Sequence, residues 1–137
     1  MLVTGLAGCG ESTAVLVAQQ FCFEFCKASS IMWSDSIFLF TAYTGSTAAV
    51  FGGLTTSKAT CLTKENISHN NRKLFQGVRI LKIDEVVSFL IYSELMKLDQ
   101  NQKKIGESYK VFGGYTSVFS GDFQQLDQVG IKNSEKI

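Results

Sequence analysis

Apolar residues in this chain fall into short dense runs, separated by glycines and polar clusters. "MLVT" opens the chain as a first short run. "ESTAVLVAQQFCFEFCKA", residues 11–28, contains no glycine or proline and is mostly apolar, which predicts a largely buried helix. "SIFLFTA", residues 36–42, is apolar without alternation, the pattern of a strand covered on both faces. "YTGSTAAVFGGLTT", residues 43–56, holds a small-residue helix between glycines, whereas the polar residues 63–77, "TKENISHNNRKLFQG", predict a loop. "VRILKIDE", residues 78–85, predicts another buried strand, ending in two acids. In "SFLIYSELMKLDQNQKK", residues 88–104, Phe89, Leu90, Tyr92, Leu95, Met96 and Leu98 form a helical stripe. "VFGGY" predicts a turn, and "TSVFSGDFQQL" a last strand running into an acid-and-amide loop.

Strand and helix therefore alternate, which predicts an α/β fold: a parallel sheet with helices on both faces, a single domain over 1–137. In such sheets ligands bind beyond the carboxyl ends of the strands. Each polar cluster falls at such an end: 5–13, 41–47, 84–85 and 121–125. The first strand is expected to be central and clipped short, because Met1 lies four residues before Gly5.

Composition narrows the reading. A length of 137 residues suits one domain, and a net charge of +1 excludes a generally basic nucleic-acid binder while leaving room for a local patch. No apolar run approaches the roughly 18 residues of a membrane span, and the start lacks the pattern of a secretory signal, so an intracellular chain is expected. Cys9, Cys22, Cys26 and Cys61 lack the second pair or histidines of a zinc site and read as buried reduced thiols. His69, the single histidine, reads as a surface residue. Proline is absent, where average usage would supply about seven.

The chemistry concentrates in "VTGLAGCGEST", residues 3–13, which fits the phosphate loop G-x-x-x-x-G-K-[ST] at Gly5, Gly10 and Ser12. Backbone N–H groups and a helix start there can hold a β-phosphate, and the Ser12 hydroxyl can face Mg²⁺. Glu11 stands in the lysine's place. A unit charge pair at 4 Å is worth about 4 kcal/mol at an effective dielectric near 20, roughly a thousandfold in affinity, before the reversed sign is counted. In "ILKIDE", Asp84 can hold a metal-bound water and Glu85 can orient or deprotonate an attacking one. In "GDFQQL", Gln125 can reach a γ-phosphate and Asp122 can fix the loop.

"GLAGCGEST", "TAYTGSTAAVFGGLTT", "LKIDEVVSFL" and "FGGYTSVFSGDFQQLDQV" occur in the order of motifs I, Ia, II and III of the Pif-type superfamily-one DNA helicases, a family that includes the helicase halves of Helitron transposons. The chain resembles that family from Leu2 to about Val129. The resemblance implies a RecA-like P-loop NTPase lobe coupling ATP hydrolysis, with Mg²⁺, to 5′-to-3′ movement on single-stranded DNA. It also implies the family's roles in DNA repair, recombination and telomere maintenance, in the nucleus or mitochondrion. It gives Gly5, Gly8, Gly10, Glu11, Ser12 and Thr13 to nucleotide, Ser12 and Asp84 to the metal, and Asp84, Glu85 and Gln125 to catalysis. Thr44, Gly45, Ser46 and Thr47 fall where motif Ia meets the DNA backbone, a contact that positions without specifying.

The chain also departs from the family. Besides Glu11, the serine expected after the acids is Val87, the histidine expected after "FGGLT" is Ser57, and two prolines expected after "GDFQQL" are Asp127 and Gln128. The second RecA-like lobe, which would close the cleft, is expected to be missing, leaving a fragment incomplete at both ends. Two functional readings follow: an ATP-dependent helicase lobe impaired in hydrolysis, or a non-catalytic DNA- or partner-binding remnant of a helicase or transposon. A small nucleotide kinase shares the phosphate loop, but "TAYTGSTAA" and "GDFQQL" suit it poorly.

Overall fold

The computed structural model describes residues 1–5, 9–86 and 92–122. The continuous apolar run becomes β2 (Phe38–Ala42), buried along its whole length. It pairs in parallel with β4 (Ile80–Ile83), Phe40 lying beside Lys82. On the far side of β4 lies β5 (Thr116–Gly121), and beyond it β1 (Leu2–Thr4), both parallel. A short strand, β3 (Leu54–Thr55), pairs with β2 at the other edge. The sheet order is β1-β5-β4-β2-β3: it is parallel, as the alternation predicts, with β3 added among the described residues to the four strands the pattern gives.

Strand residues alternate between two helical layers, as the pleat requires. Leu39, Leu81 and Ile83 point into the larger core, with Phe75 of α4 (His69–Gln76) and Leu98 and Ile105 of α5 (Tyr92–Gly106). Ala59 of α3 (Thr56–Thr60) joins the same core. Phe40 and Ala42 point the other way and meet Ala48 of α2 (Gly45–Val50) and Val15 of α1 (Glu11–Ala28). Both faces therefore carry helices.

Several expectations are corrected. Helix α1 forms where predicted, but Cys26 is its one buried residue, and Val17 and Phe21 are 63% and 69% exposed. Its apolar side chains lie all round the helix, and one sheet face covers a single stripe. A cavity of about 680 Å³ separates that stripe from the sheet, lined by Val15, Ala18, Phe38 and Val118 among others. The polar stretch 63–77 is not all loop: Ser68 caps α4 by accepting a hydrogen bond from the Asn71 N–H, and Phe75 anchors the helix in the core. In α5 the inward face is Leu98, Asn101, Gln102 and Ile105, while Tyr92, Leu95 and Met96 face out; Phe89 and Leu90 lie outside the described residues. Strand β1 stands at the sheet edge, pairing with β5, rather than at the centre. Of the four free thiols, Cys26 and Cys61 are buried, Cys22 is half-buried and Cys9 is exposed. His69 is exposed, as expected, but as the first residue of α4.

Candidate functional site

At the carboxyl end of β4 the ladder continues one residue beyond the strand, the Asp84 N–H donating to the Thr41 carbonyl at 2.8 Å. This fixes Asp84 at the sheet's upper edge. Its Oδ1 accepts a hydrogen bond from the Ser120 hydroxyl of β5 and lies 3.3 Å from the Lys82 ammonium. Lys82 Nζ also bonds to Ser120 Oγ and sits 5.8 Å from the centre of the Phe40 ring. The Lys82 side chain is 2% exposed, against 24% for Asp84. Burial pushes the Lys82 amine below its usual range, and the Asp84 and Glu11 carboxylates partly oppose that shift.

Glu85 is turned toward α2. Its Oε2 accepts hydrogen bonds from the Thr44 N–H (3.2 Å) and the Thr44 hydroxyl (3.4 Å), and its Oε1 from the Thr47 hydroxyl (3.2 Å). The Thr44 hydroxyl also caps α2, accepting from the Thr47 N–H at 3.4 Å. The second acid of the pair is thus joined directly to two residues given to DNA. Gly45 and Ser46, the other two, are exposed at the start of α2.

The glycine loop delivers the chain into α1. Gly10 caps the helix at φ 91°, a left-handed conformation that favours glycine, and its carbonyl accepts from the Ala14 N–H at 3.0 Å. Ser12 and Thr13 are exposed on the first turn. Ser12 shares a cleft of about 500 Å³ with Ser46 and Thr47, so one cavity joins the nucleotide and DNA candidates. Glu11 faces the other way, lining the cavity under α1 together with Lys82. Its Oε1 is buried with no hydrogen-bond partner among the described residues. Gly5 sits at the end of β1, Asp122 directly follows β5, and Gly8 and Gln125 lie outside the described residues, as do Val87, Asp127 and Gln128.

Sequence reading passed over Lys82 and Ser120. The signal was present: Lys82 is the one charge inside an otherwise apolar strand, two positions before Asp84 and therefore on the same face of the pleat.

The residue types of a magnesium site are present in Ser12 and Asp84, but their arrangement does not suit the ion. The oxygen of Asp84 that would face a metal-bound water is held by an ammonium and a hydroxyl, and Glu11 brings a second carboxylate where the loop needs a cation. No group of three or more metal-ligating side chains occurs among the described residues.

No family model matches this sequence, and no curated protein sequence matches it. Likeness appears instead in three dimensions. The parallel sheet, with the glycine loop leading into α1 and two acids ending β4, defines a RecA-like P-loop lobe. Within that class the chain is similar to the Pif1 helicases. It superposes on a Pif1 helicase from a structure of two coordinating copies unwinding forked double-stranded DNA, with 26% identity and a TM-score of 0.73 over 97% of this chain and 32% of that one. The Bacteroides Pif1 helicase in complex with ADP-AlF3 and single-stranded DNA matches at 25% identity and a TM-score of 0.72, over 96% of this chain and 30% of that one. Pif1 helicase from Candida albicans matches at 26% identity and a TM-score of 0.65, over 94% and 30%. The chain spans about a third of the length of these proteins.

Proposed function

We propose that this chain works as the nucleotide- and DNA-binding lobe of a Pif1-type helicase, with hydrolysis impaired. One observation carries the reading: Ser12 in the first turn of α1 shares a cleft with Ser46 and Thr47, and Glu85 is bonded to Thr44 and Thr47 beside it. The likeness to helicases whose structures hold ADP-AlF3 and single-stranded DNA supports it.

In this reading the amides of the loop and of the first turn of α1 hold the polyphosphate of ATP, and Ser12 and Thr13 add hydroxyls to it. ATP bound there would supply the phosphoryl group that such helicases transfer to water. Glu85 is the base that would take the proton of that water, and its bonds to Thr44 and Thr47 link it to the DNA face. The hydroxyls of Thr44, Ser46 and Thr47 contact backbone phosphates, which fixes the strand's position without reading its bases. Stepping 5′-to-3′ needs a second RecA-like lobe that opens and closes against this one, so the lobe alone does not unwind. Glu11 and the Lys82–Asp84 pair favour a second reading, a non-catalytic lobe that binds DNA or a partner lobe.

Titrating a fluorescent ATP analogue and a labelled oligo-dT separates the readings, on the wild-type chain and on Glu11→Lys. Glu11→Lys is expected to tighten ATP binding at least tenfold and to leave oligo-dT affinity within twofold. If neither folded form binds ATP, the nucleotide reading fails; if oligo-dT still binds, the non-catalytic reading stands.

A further inference from the structure

We propose that the Lys82 ammonium is the resident cation of this site: it holds the Asp84 carboxylate that the helicase reading assigns to magnesium, and it brings from β4 the positive charge that the loop lacks at Glu11. This deepens the helicase reading and rests on its assignment of the sheet edge. Four observations point the same way. Lys82 is almost wholly buried, and a buried ammonium survives only where it is paired and hydrogen-bonded. Its partners are Asp84 and Ser120, from the two strands that form the site's floor. The Phe40 ring, beside Lys82 in the register, gives the cation an aromatic wall. Finally, Glu11 lines the same cavity as Lys82, with a buried carboxylate oxygen that has no hydrogen-bond partner among the described residues.

The charges at positions 11 and 82 are therefore coupled. A lysine on the loop and a neutral strand residue would leave Asp84 open to a metal-bound water. Here the loop carries the acid and the strand the base, so the cluster neutralises Asp84 from within. Removing the ammonium leaves Asp84 without its ion-pair partner and takes the cationic side chain from the cavity that Glu11 lines, and uncompensated carboxylates recruit a divalent ion.

The test needs no nucleotide. Mn²⁺, as a stand-in for Mg²⁺, is titrated by electron paramagnetic resonance into the full chain, into Lys82→Met and into Lys82→Met/Asp84→Asn, with folding checked by circular dichroism. Lys82→Gln serves as the neutral variant if Lys82→Met does not fold. The expected result is at least a tenfold gain in Mn²⁺ affinity in Lys82→Met, lost again when Asp84→Asn is added. An Asp84-dependent Mn²⁺ site in the wild type overturns the proposal. So does a Lys82 variant that binds no tighter than wild type, or a gain that survives Asp84→Asn. The ATP-analogue titration keeps the two claims apart: its failure in every form removes the nucleotide reading, while Mn²⁺ decides the role of Lys82.

Discussion

Glu85 sits at φ 57°, a left-handed backbone conformation that costs a side-chain-bearing residue about 1–2 kcal/mol. Its hydrogen bonds to Thr44 and Thr47 offset that cost and explain why the acid turns toward α2. Thr47→Val should lower stability by about 1 kcal/mol, and by less than half as much in a Glu85→Gly background, where strain and acceptor are both gone. Urea unfolding of the four forms measures the coupling, and equal costs in both backgrounds would mean that Glu85 does not depend on Thr47. Gln102 presents the opposite case. Its side chain is wholly buried, and neither its Nε2 nor its Oε1 has a hydrogen-bond partner among the described residues. Gln102→Leu replaces a desolvated amide by an apolar group of similar size, so the urea midpoint should rise, by about 1 kcal/mol of stability. A fall would show that the amide is bonded in solution.

Two helix ends show how elements are held. At the end of α1 the Ile31 N–H donates to the Cys26 carbonyl at 2.8 Å and the Ser30 N–H to the Lys27 carbonyl at 3.3 Å, the paired bonds of a Schellman cap. Ser30 occupies the left-handed position at φ 56° and is exposed, so Ser30→Gly should stabilise the chain by about 0.5–1 kcal/mol, read as a higher urea midpoint with unchanged slope. In α5, Asp99 accepts from the Phe112 N–H at 2.7 Å and pairs with Lys103 at 2.6 Å, which ties the turn Val111–Gly114 to the helix. The Lys103 bond, chiefly, and the Phe112 bond hold its carboxyl below the ordinary value of 3.8. A depressed folded-state pKa gives stability that is present above the unfolded value and lost as pH falls through the folded one. Wild-type stability should therefore decline as pH drops below about 4, and Asp99→Asn should remove that part of the decline. Helix α4 shows what the pattern hid. Its polar run reads as loop because its core contact is carried mainly by Phe75, and its start depends on a Ser68 cap that composition does not reveal.

At the scale of the molecule, the parallel sheet was legible because β2 is apolar without alternation and β4 carries a single charge among apolar residues, and the candidate site is expected at the ends of those strands. Lys82 is invisible to a hydrophobic pattern, because its importance comes from sharing the α1-facing side of the sheet with Phe40 and from pairing with Asp84. The burial of α1 was misread for a related reason: an apolar helix is buried only where something covers it, and the sheet covers one stripe across a cavity of about 680 Å³. The two layers should then differ in local stability. Amides of Phe38–Ala42 and Ile80–Ile83, in the middle of the sheet, should exchange with solvent near the limit set by global unfolding. Amides of α1 should exchange at least about 100-fold faster, since opening the helix exposes little new apolar surface. On the helicase reading proposed above, saturating ATP should slow exchange along α1 and leave the layer of α4 and α5 unchanged, because ligand stabilises only the openings that destroy its site. Native-state hydrogen exchange at two protein concentrations provides the measurement. If α1 is protected as strongly as β2 at both concentrations, the helix is anchored to the sheet despite its exposure. Protection that grows with concentration would instead mean that a second copy covers its outer face.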